Sequence, residues 1–295
     1  MNTAATSAPL PAAAPELALA WTQQDYENRI GFRGGRYMSV NHLLAFLAAL
    51  LGTVAAFALA VFVLKPIPFT APVGEMFLRP GNQFTVIPAT VFFFWGAAVL
   101  FIKRHKLRFQ ERSLALSPVP AEPEFVLTEA TASSVLSRLH AIVDHPRHFV
   151  LLNRIDRALS NLRNIGQVND VSSILRAQAE NDEDHVASSY TLVNGLVWAI
   201  PVLGFIGTVQ GLSMAIGKFG QTLQTSGDIS AIRQSLQGVT GGLATAFETT
   251  LVALVFALIL QLWITFQQRQ EMAFLDECND YCHSHVVAKL RLTNR

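Results

Sequence analysis

The chain has 295 residues, of which 51% are hydrophobic and only 15% are charged, whereas soluble globular chains carry about 25% charged residues. This deficit argues against an ordinary soluble protein, and the net charge of +1 lacks the basic excess of a nucleic-acid-binding protein. The two cysteines provide no disulfide framework.

Residues 1–39 are predicted to form a cytoplasmic N-terminal tail. Residues 1–20 are rich in Ala and Pro, and they contain no Lys, no Arg and no continuous apolar run. A secretory signal peptide requires basic residues followed by an apolar stretch. The sequence therefore predicts that residues 1–20 are disordered and are not a signal peptide.

Four stretches are long and apolar enough to cross a membrane as helices. A hydrocarbon core of about 30 Å requires about 20 helical residues. The third stretch contains no charged side chain, and the fourth contains one, Glu248. We predict an all-α membrane protein with four transmembrane helices, at residues 40–64, 84–102, 192–216 and 238–266.

The distribution of basic residues predicts the orientation of these spans. The loops at 65–83 and 217–237 hold two basic residues each, and cytoplasmic segments carry an excess of Lys and Arg. Both termini and residues 103–190 are therefore predicted to be cytoplasmic, in a multi-pass protein of the bacterial inner membrane. The basic residues near the spans are Arg29, Arg33 and Arg36 before the first, and Lys103, Arg104, Lys106, Arg108 and Arg112 after the second.

The segment 103–190 is predicted to be a cytoplasmic helical region that includes a Pro-rich linker at residues 117–123. Apolar residues recur at helical spacing over residues 135–142 and 151–162, with Pro146 and Gly166 as breaks. From residue 170 the helical pattern is uninterrupted. We therefore expect one helix from Val171 to Ile216, about 70 Å long at 1.5 Å per residue.

The fourth span is likewise predicted to continue beyond Phe266. This predicts that the last two transmembrane helices extend into the cytoplasmic helical region. Residues 40–102 would hold the first two spans and a short outer loop, residues 191–266 the channel-forming pair, and residues 267–295 a C-terminal cytoplasmic helix. Its apolar seam is predicted at Phe274, Cys278, Tyr281, His285 and Ala288.

Small residues mark one face of the third span. Gly204, Gly207 and Gly211 are three or four residues apart, and small residues at such spacing allow membrane helices to approach closely. Pro201 leaves the carbonyl of Val197 without its usual donor, and in lipid this carbonyl needs protein or water. The pattern predicts a kinked helix beside another helix or a water-filled lumen, and packing alone accounts for the glycines.

One side of the fourth span carries polar residues. A charged carboxylate at the bilayer centre costs roughly 2.5–3.5 kcal/mol on insertion scales, so an intramembrane Glu is a candidate functional residue. The alternative is that Glu248 lies near a membrane interface, is hydrated and supports packing only. The residues predicted to share this side are Gly241, Thr245, Glu248, Thr249 and Val252, and Gly241 is predicted to serve helix packing.

Two stretches on consecutive spans resemble the MotA/TolQ/ExbB proton-channel family. They are residues 201–211, with a Pro followed by Gly-Thr-Val-Gln-Gly, and residues 242–246, with Ala-Thr-Ala. The four-span topology resembles MotA, and the motifs resemble ExbB and TolQ. The family's proline in the last span is missing here, and Glu248 stands where these relatives carry no acid.

The resemblance implies a homopentamer around a dimer of a single-span MotB/ExbD/TolR-like partner, whose membrane Asp carries the proton and drives rotation. It implies that Thr208 and Thr245 face that Asp. Glu248 and Thr249 are further candidates for the ion pathway, because they are predicted to share one side of the fourth span with Thr245. A threonine hydroxyl can donate to a carboxylate and accept from a carboxylic acid. Protons are the coupling ion with sodium left open, no cofactor is expected, and lipid and a cytoplasmic rotor or effector are further partners.

Other signals are discounted. Residues 211–218 have the wrong spacing for a phosphate loop, and Cys278, Cys282, His283 and His285 are explained better by helix packing than by metal binding. No nucleophile and base pair indicates an enzyme. The alternative function is a scaffolding membrane protein without ion flux. The sequence leaves open whether a motor would drive a flagellum, a TonB- or Tol-like system, gliding or a defence complex.

Overall fold

The computed structural model describes residues 19, 21, 26–32, 35, 37–120, 122, 124–160, 162, 168–225 and 229–291. These residues are predominantly helical, and the β pairing among them consists of two isolated bridges. The α-helices, in chain order, are α1 (Tyr26–Arg29), α2 (His42–Leu59), α3 (Ala71–Leu78), α4 (Gln83–Leu114), α5 (Glu129–Ile142), α6 (Val150–Ser160), α7 (Val168–Ser189), α8 (Thr191–Thr225) and α9 (Ile229–Tyr281).

Four helical segments are long and apolar enough to cross a membrane, which confirms the predicted fold class. They occupy His42–Leu64, Gln83–Leu114, Asp170–Gln221 and Ser235–Val287. The last two extend well beyond their apolar stretches, as expected. The protein is therefore an all-α, multi-pass membrane protein with four transmembrane helices.

The membrane helices form a bundle in which α8 and α9 are antiparallel neighbours and α4 packs on both. Gly96 of α4 marks this contact, because a Cβ added there would stand 3.0 Å from Leu260 of α9 and 3.6 Å from Val193 of α8. Helix α2 covers the other side of α4, where Gly52 lies under the ring of Phe94. The hydroxyl-bearing residues described below thus lie between helices of one bundle.

The uninterrupted helix predicted from Val171 to Ile216 is wrong at one residue, because Tyr190 forms a turn between α7 and α8. The hydroxyl of Ser189 donates to the carbonyl of Val186 at 2.6 Å, the carbonyl that the amide of Tyr190 would use in an α-helix. The Tyr190 amide instead donates to Ala187, three residues back. The Ser189 hydroxyl and the Tyr190 amide thus donate to neighbouring carbonyls at this turn.

A compact helical domain lies at the end of the bundle where α4 and α9 run past their apolar stretches. Helices α5, α6 and α7 surround the far end of α9, and the predicted stripes supply buried residues. Pro146 begins a short 3₁₀ turn before α6, whereas the predicted break at Gly166 lies outside the described residues. The buried members of the two stripes are Val135, Leu139, Leu151, Leu152, Ile155, Leu159 and Leu162.

The N-terminal segment and the Pro-rich linker both pack against this domain. Trp21 is buried, stacks on the ring of His148 and donates its backbone amide to Asp144. Leu19 is also buried, so the predicted disorder of residues 1–20 is wrong at this position, and the other nineteen lie outside the described residues. In the linker, Val119 is buried and accepts a hydrogen bond from Tyr281 at the end of α9.

The predicted apolar seam on the C-terminal helix is correct at its start and wrong at its end. Phe274 and Cys278 are buried, but the seam continues through Cys282 and Val286, whereas Ala288 is exposed. The helix changes to π geometry over Cys282–Val287. The predicted positions Tyr281 and His285 are partly exposed, and Tyr281 packs against the core.

Buried ion pairs join these parts. Lys103 of α4 pairs with Glu271 of α9 at 3.1 Å, with 1% and 0% of the side chains exposed. Lys106 pairs with the buried Glu27, and Arg154 pairs with Asp182 at 2.8 Å. Two of the basic residues behind the orientation prediction, Lys103 and Lys106, are thus also internal bonding partners.

Candidate functional site

Three glycines bring α8 and α9 into close contact. A Cβ on Gly204 would stand 2.6 Å from the Cβ of Ala253, and one on Gly211 would stand 2.7 Å from the carbonyl oxygen of Gly242. The reciprocal Cβ on Gly242 would stand 2.7 Å from the Cβ of Ala215. Such distances are too short for real Cβ atoms, so the helices touch backbone to backbone at these positions.

Gly241 does not share in this contact. A Cβ added at Gly241 would meet no atom within 4 Å, so the packing role predicted for this glycine is wrong within the single chain. Gly242, the next residue, occupies the close approach. One residue turns a helix by about 100°, which places Gly241 off the contact face.

Two threonine hydroxyls lie at the centre of the α8–α9 contact. The hydroxyls of Thr208 and Thr250 hydrogen-bond to each other. Thr208 also reaches the carbonyls of Gly204 at 3.2 Å and Ala246 at 3.3 Å. Thr250 reaches the same two carbonyls, at 3.0 and 3.2 Å. Each hydroxyl has one proton. Either threonine can therefore donate to the other, while the second donates to a carbonyl.

A third helix joins this polar region at Gly207. A Cβ on Gly207 would stand 2.5 Å from the hydroxyl oxygen of Thr249 and 2.9 Å from that of Thr85 in α4. Thr85 and Thr249 are both buried, and Thr249 donates to the carbonyl of Ala246 at 3.0 Å. The absence of a side chain at Gly207 therefore leaves room for hydroxyls from two neighbouring helices.

Glu248 is partnered within the chain. One carboxylate oxygen lies 2.9 Å from Nη2 of Arg79, and the other accepts from Nδ2 of Asn82 at 2.9 Å. Asn82 is buried and immediately precedes α4, so Glu248 lies level with the start of that helix. These contacts are those of an anchored carboxylate at the end of the α4 span.

Thr245 lies one turn from Glu248 under the same loop. It is 7% exposed, and a Cβ on Gly81 would stand 3.8 Å from its methyl carbon. The structure thus brings Thr208 and Thr249 into the α8–α9–α4 contact, and it sets Thr245 and Glu248 against the α3–α4 loop. The shared face predicted for the fourth span is divided between these two surroundings.

Pro201 lies inside α8 and is partly buried. Sequence reasoning missed Thr85, Thr250, Gly242, Arg79 and Asn82 as members of this region. The sequence did offer a hint for Arg79. It is one of two basic residues in the loop 65–83, and Glu248 is the one charged residue in the predicted fourth span. The position of Asn82 had no such signal.

Metal binding has no support among the residues that the structure describes. In that part of the chain, no three His, Cys, Asp or Glu side chains come together as a metal site. Cys278 and Cys282 are free and buried in the seam of the C-terminal helix. The polar groups described above at the α8–α9–α4 contact and the α3–α4 loop are threonine hydroxyls, the amide of Asn82 and the Arg79–Glu248 ion pair.

The segment that carries Thr208, Thr245 and Glu248 matches a known family. Residues 145–278 match the model of the MotA/TolQ/ExbB proton channel family, which confirms the resemblance seen in the two motifs. Searches of curated proteins and of solved structures found no match. The family is one of channels and not of enzymes. Over residues 145–278, the chain is therefore similar to the MotA/TolQ/ExbB proton channel family.

Proposed function

We propose that this chain is the ring subunit of an ion-driven rotary motor that conducts protons past an Asp in the membrane segment of a partner. The observation that carries the proposal is the Thr208–Thr250 hydroxyl pair at the glycine-lined α8–α9 contact. It lies inside the segment matched by the proton channel family. On this proposal the chain is not an enzyme and needs no cofactor beyond the coupling ion, a proton, with sodium as the alternative.

Threonine suits this role because its hydroxyl serves both protonation states of a carboxyl group. It can donate to a carboxylate and accept from a carboxylic acid. Thr208 is partly exposed. An Asp of the partner could therefore replace Thr250 as the hydrogen-bond partner of the Thr208 hydroxyl. Protonation would then change which ring contacts the Asp prefers and drive relative rotation. Thr245 belongs to the same path once the loop above it moves.

Assembly as a homopentamer around a dimer of a single-span MotB/ExbD/TolR-like protein follows from the same proposal. Helices α8 and α9 keep exposed apolar side chains, including Phe205, Val209 and Phe247. Such side chains suit contact with lipid or with neighbouring subunits. We place the ring in a bacterial inner membrane with both termini and the helical domain in the cytoplasm, where a rotor or effector could bind.

Ion flux into proteoliposomes tests the proposal. The chain is purified in mild detergent, with and without the single-span protein that copurifies, and both preparations are assayed with a pH-sensitive dye. We expect the complex to acidify the vesicles, the ring alone to conduct little, and Thr208→Val to remove the flux of the complex. Thr265→Val is the matched control, because Thr265 is exposed and lies on α9 away from the hydroxyl pair.

Two results would contradict the proposal. Equal conduction by the ring alone and by the complex would exclude a two-component mechanism. An intact oligomer without flux in any preparation, and without a single-span partner, would favour a scaffolding protein.

A further inference from the structure

The loop between α3 and α4 is fastened across one turn of α9. Arg79 and Asn82 bind Glu248, and Gly81 between them lies over Thr245. We call these five residues the clasp. We propose that the clasp is a gate over Thr245, in which Glu248 positions the loop and is not a ligand of the conducted ion. The gating role rests on the proposed function, whereas the clasp itself does not.

Both oxygens of the Glu248 carboxylate are already occupied. Arg79 neutralises its charge through Nη2, and Asn82 donates to the second oxygen, each at 2.9 Å. A cation at Glu248 would have to displace the guanidinium or lie beside it, and like charges at such a distance repel. The geometry therefore favours an ion pair that holds the loop over a binding site for the conducted ion.

Asn82 connects the clasp to the rest of the loop. The same Nδ2 also donates to the carbonyl of Met76 in α3 at 2.8 Å, and the side chain is fully buried. Its Oδ1 and the Nε of Arg79 are buried without a partner among the described atoms. Buried polar groups left unpaired are costly. If the clasp opens, water can hydrogen-bond to these two atoms, which lowers the free energy of the open state.

Gly81 allows the loop to lie close to α9. Its φ of +110° is in a region that residues with a Cβ rarely adopt. The turn brings the backbone of Gly81 over Thr245, which is only 7% exposed. Because Thr245 and Glu248 are three residues apart on one helix face, the ion pair holds the cover directly above the threonine.

The rest of the loop is attached on its other side. Gly74 of α3 packs against the end of the helix that continues α2, where a Cβ would stand 3.2 Å from the carbonyl oxygen of Ala60. Helix α3 also contacts α9 outside the clasp, where the rings of Phe77 and Phe256 lie 6.2 Å apart. On our proposal, opening the clasp moves residues 79–81 and leaves these contacts of α3 in place.

Thiol labelling tests the clasp independently of flux. Thr245→Cys is made in the full chain with Cys278→Ser and Cys282→Ser, placed in nanodiscs, and treated with a membrane-impermeant maleimide. We expect slow labelling with the intact clasp. Adding Glu248→Gln should speed labelling by on the order of tenfold, the change expected when a charge-assisted contact is weakened. The swap Arg79→Glu with Glu248→Arg should restore slow labelling.

Thr240→Cys is the matched control, because Thr240 is exposed on the same helix. It should label quickly with or without Glu248→Gln. Equal labelling rates at Thr245→Cys in the intact and Glu248→Gln clasps would overturn the inference, as would a charge swap that labels as fast as Glu248→Gln.

Proton flux separates a gate from an ion ligand. In the partner complex, Glu248→Gln is expected to raise the proton leak if Glu248 holds a gate. Loss of flux with unchanged labelling would make Glu248 an ion-path residue and overturn the inference. If no preparation conducts protons while labelling responds to the clasp variants, the clasp stands and the proposed function fails.

Discussion

The hydroxyls of Thr208 and Thr250 hydrogen-bond across the contact between α8 and α9, and both reach the carbonyls of Gly204 and Ala246. Each threonine therefore has an acceptor one turn back on its own helix and another on the neighbouring helix. This arrangement satisfies both hydroxyls without water. Because each hydroxyl has one proton, one threonine donates to the other, and the second donates to a carbonyl.

Removing either hydroxyl should cost little stability, and the two losses should not add. Hydrogen bonds between membrane helices average about 0.6 kcal/mol, with a maximum of about 1.7. We expect Thr208→Val and Thr250→Val each to lie in this range, with a measurable coupling term in the double variant. Denaturant unfolding in detergent micelles measures all four proteins. Strict additivity would show that the hydroxyls act independently.

Alanine substitutions at the glycines should change thermal stability by very different amounts, depending on the position. Gly204→Ala and Gly211→Ala place a Cβ within 2.6 and 2.7 Å of Ala253 and of the Gly242 backbone, so the helices must separate and we expect a large loss of thermal stability. Gly241→Ala meets no atom within 4 Å and should leave the chain's stability unchanged or slightly raised. Thermal unfolding of the three variants compares them.

The same series addresses assembly. If Gly241→Ala leaves the folded chain intact but breaks the oligomer seen by native mass spectrometry, Gly241 belongs to an interface between subunits. Loss of chain stability in this variant equal to that of Gly204→Ala would contradict the packing described here.

Thr245→Val should abolish ion flux while the ring remains assembled. Valine keeps the shape of threonine and removes only the hydroxyl, and Thr245 is buried under Gly81, so folding should change little. Flux in proteoliposomes and oligomer mass on the same preparation check the two parts. Normal flux would remove Thr245 from the proposed mechanism.

Substitution in the buried Lys103–Glu271 pair should lower the free energy of unfolding far more than substitution in an exposed pair. Removing one partner of a buried ion pair costs about 3–5 kcal/mol, because the other charge stays buried and unpaired. We expect this loss for Lys103→Met and a partial recovery for Lys103→Met with Glu271→Leu. Denaturant unfolding provides the measurement.

The exposed pair Arg176–Glu180, with 84% and 67% of the side chains accessible, is the control. A helix pair of this kind contributes about 0.3–0.5 kcal/mol, so Arg176→Met should change the free energy of unfolding very little. Similar losses in Lys103→Met and Arg176→Met would show that the burial of Lys103 has no energetic consequence.

Apolar runs and glycine spacing were sufficient to predict the four spans, the long last two helices and the close approach at Gly204 and Gly211. These features depend on periodicity along one helix, which a sequence displays directly. The same reasoning failed at Gly241, because neighbouring glycines face directions about 100° apart and only the partner helix selects between Gly241 and Gly242. It also failed at Tyr190, where the backbone amide donates to Ala187, three residues back, and the helix is interrupted.

The sequence by itself determined the membrane fold class and, through two motifs, the resemblance to the MotA/TolQ/ExbB family, which residues 145–278 match. Hydrophobic burial and helix periodicity are local properties that follow from residue type. Only the tertiary structure decided what Glu248 contacts, because Arg79 and Asn82 are 169 and 166 residues distant along the chain and meet it through packing of α4 on α9. Burial and pairing of a charge depend on which helices are neighbours, and that information lies in no single segment.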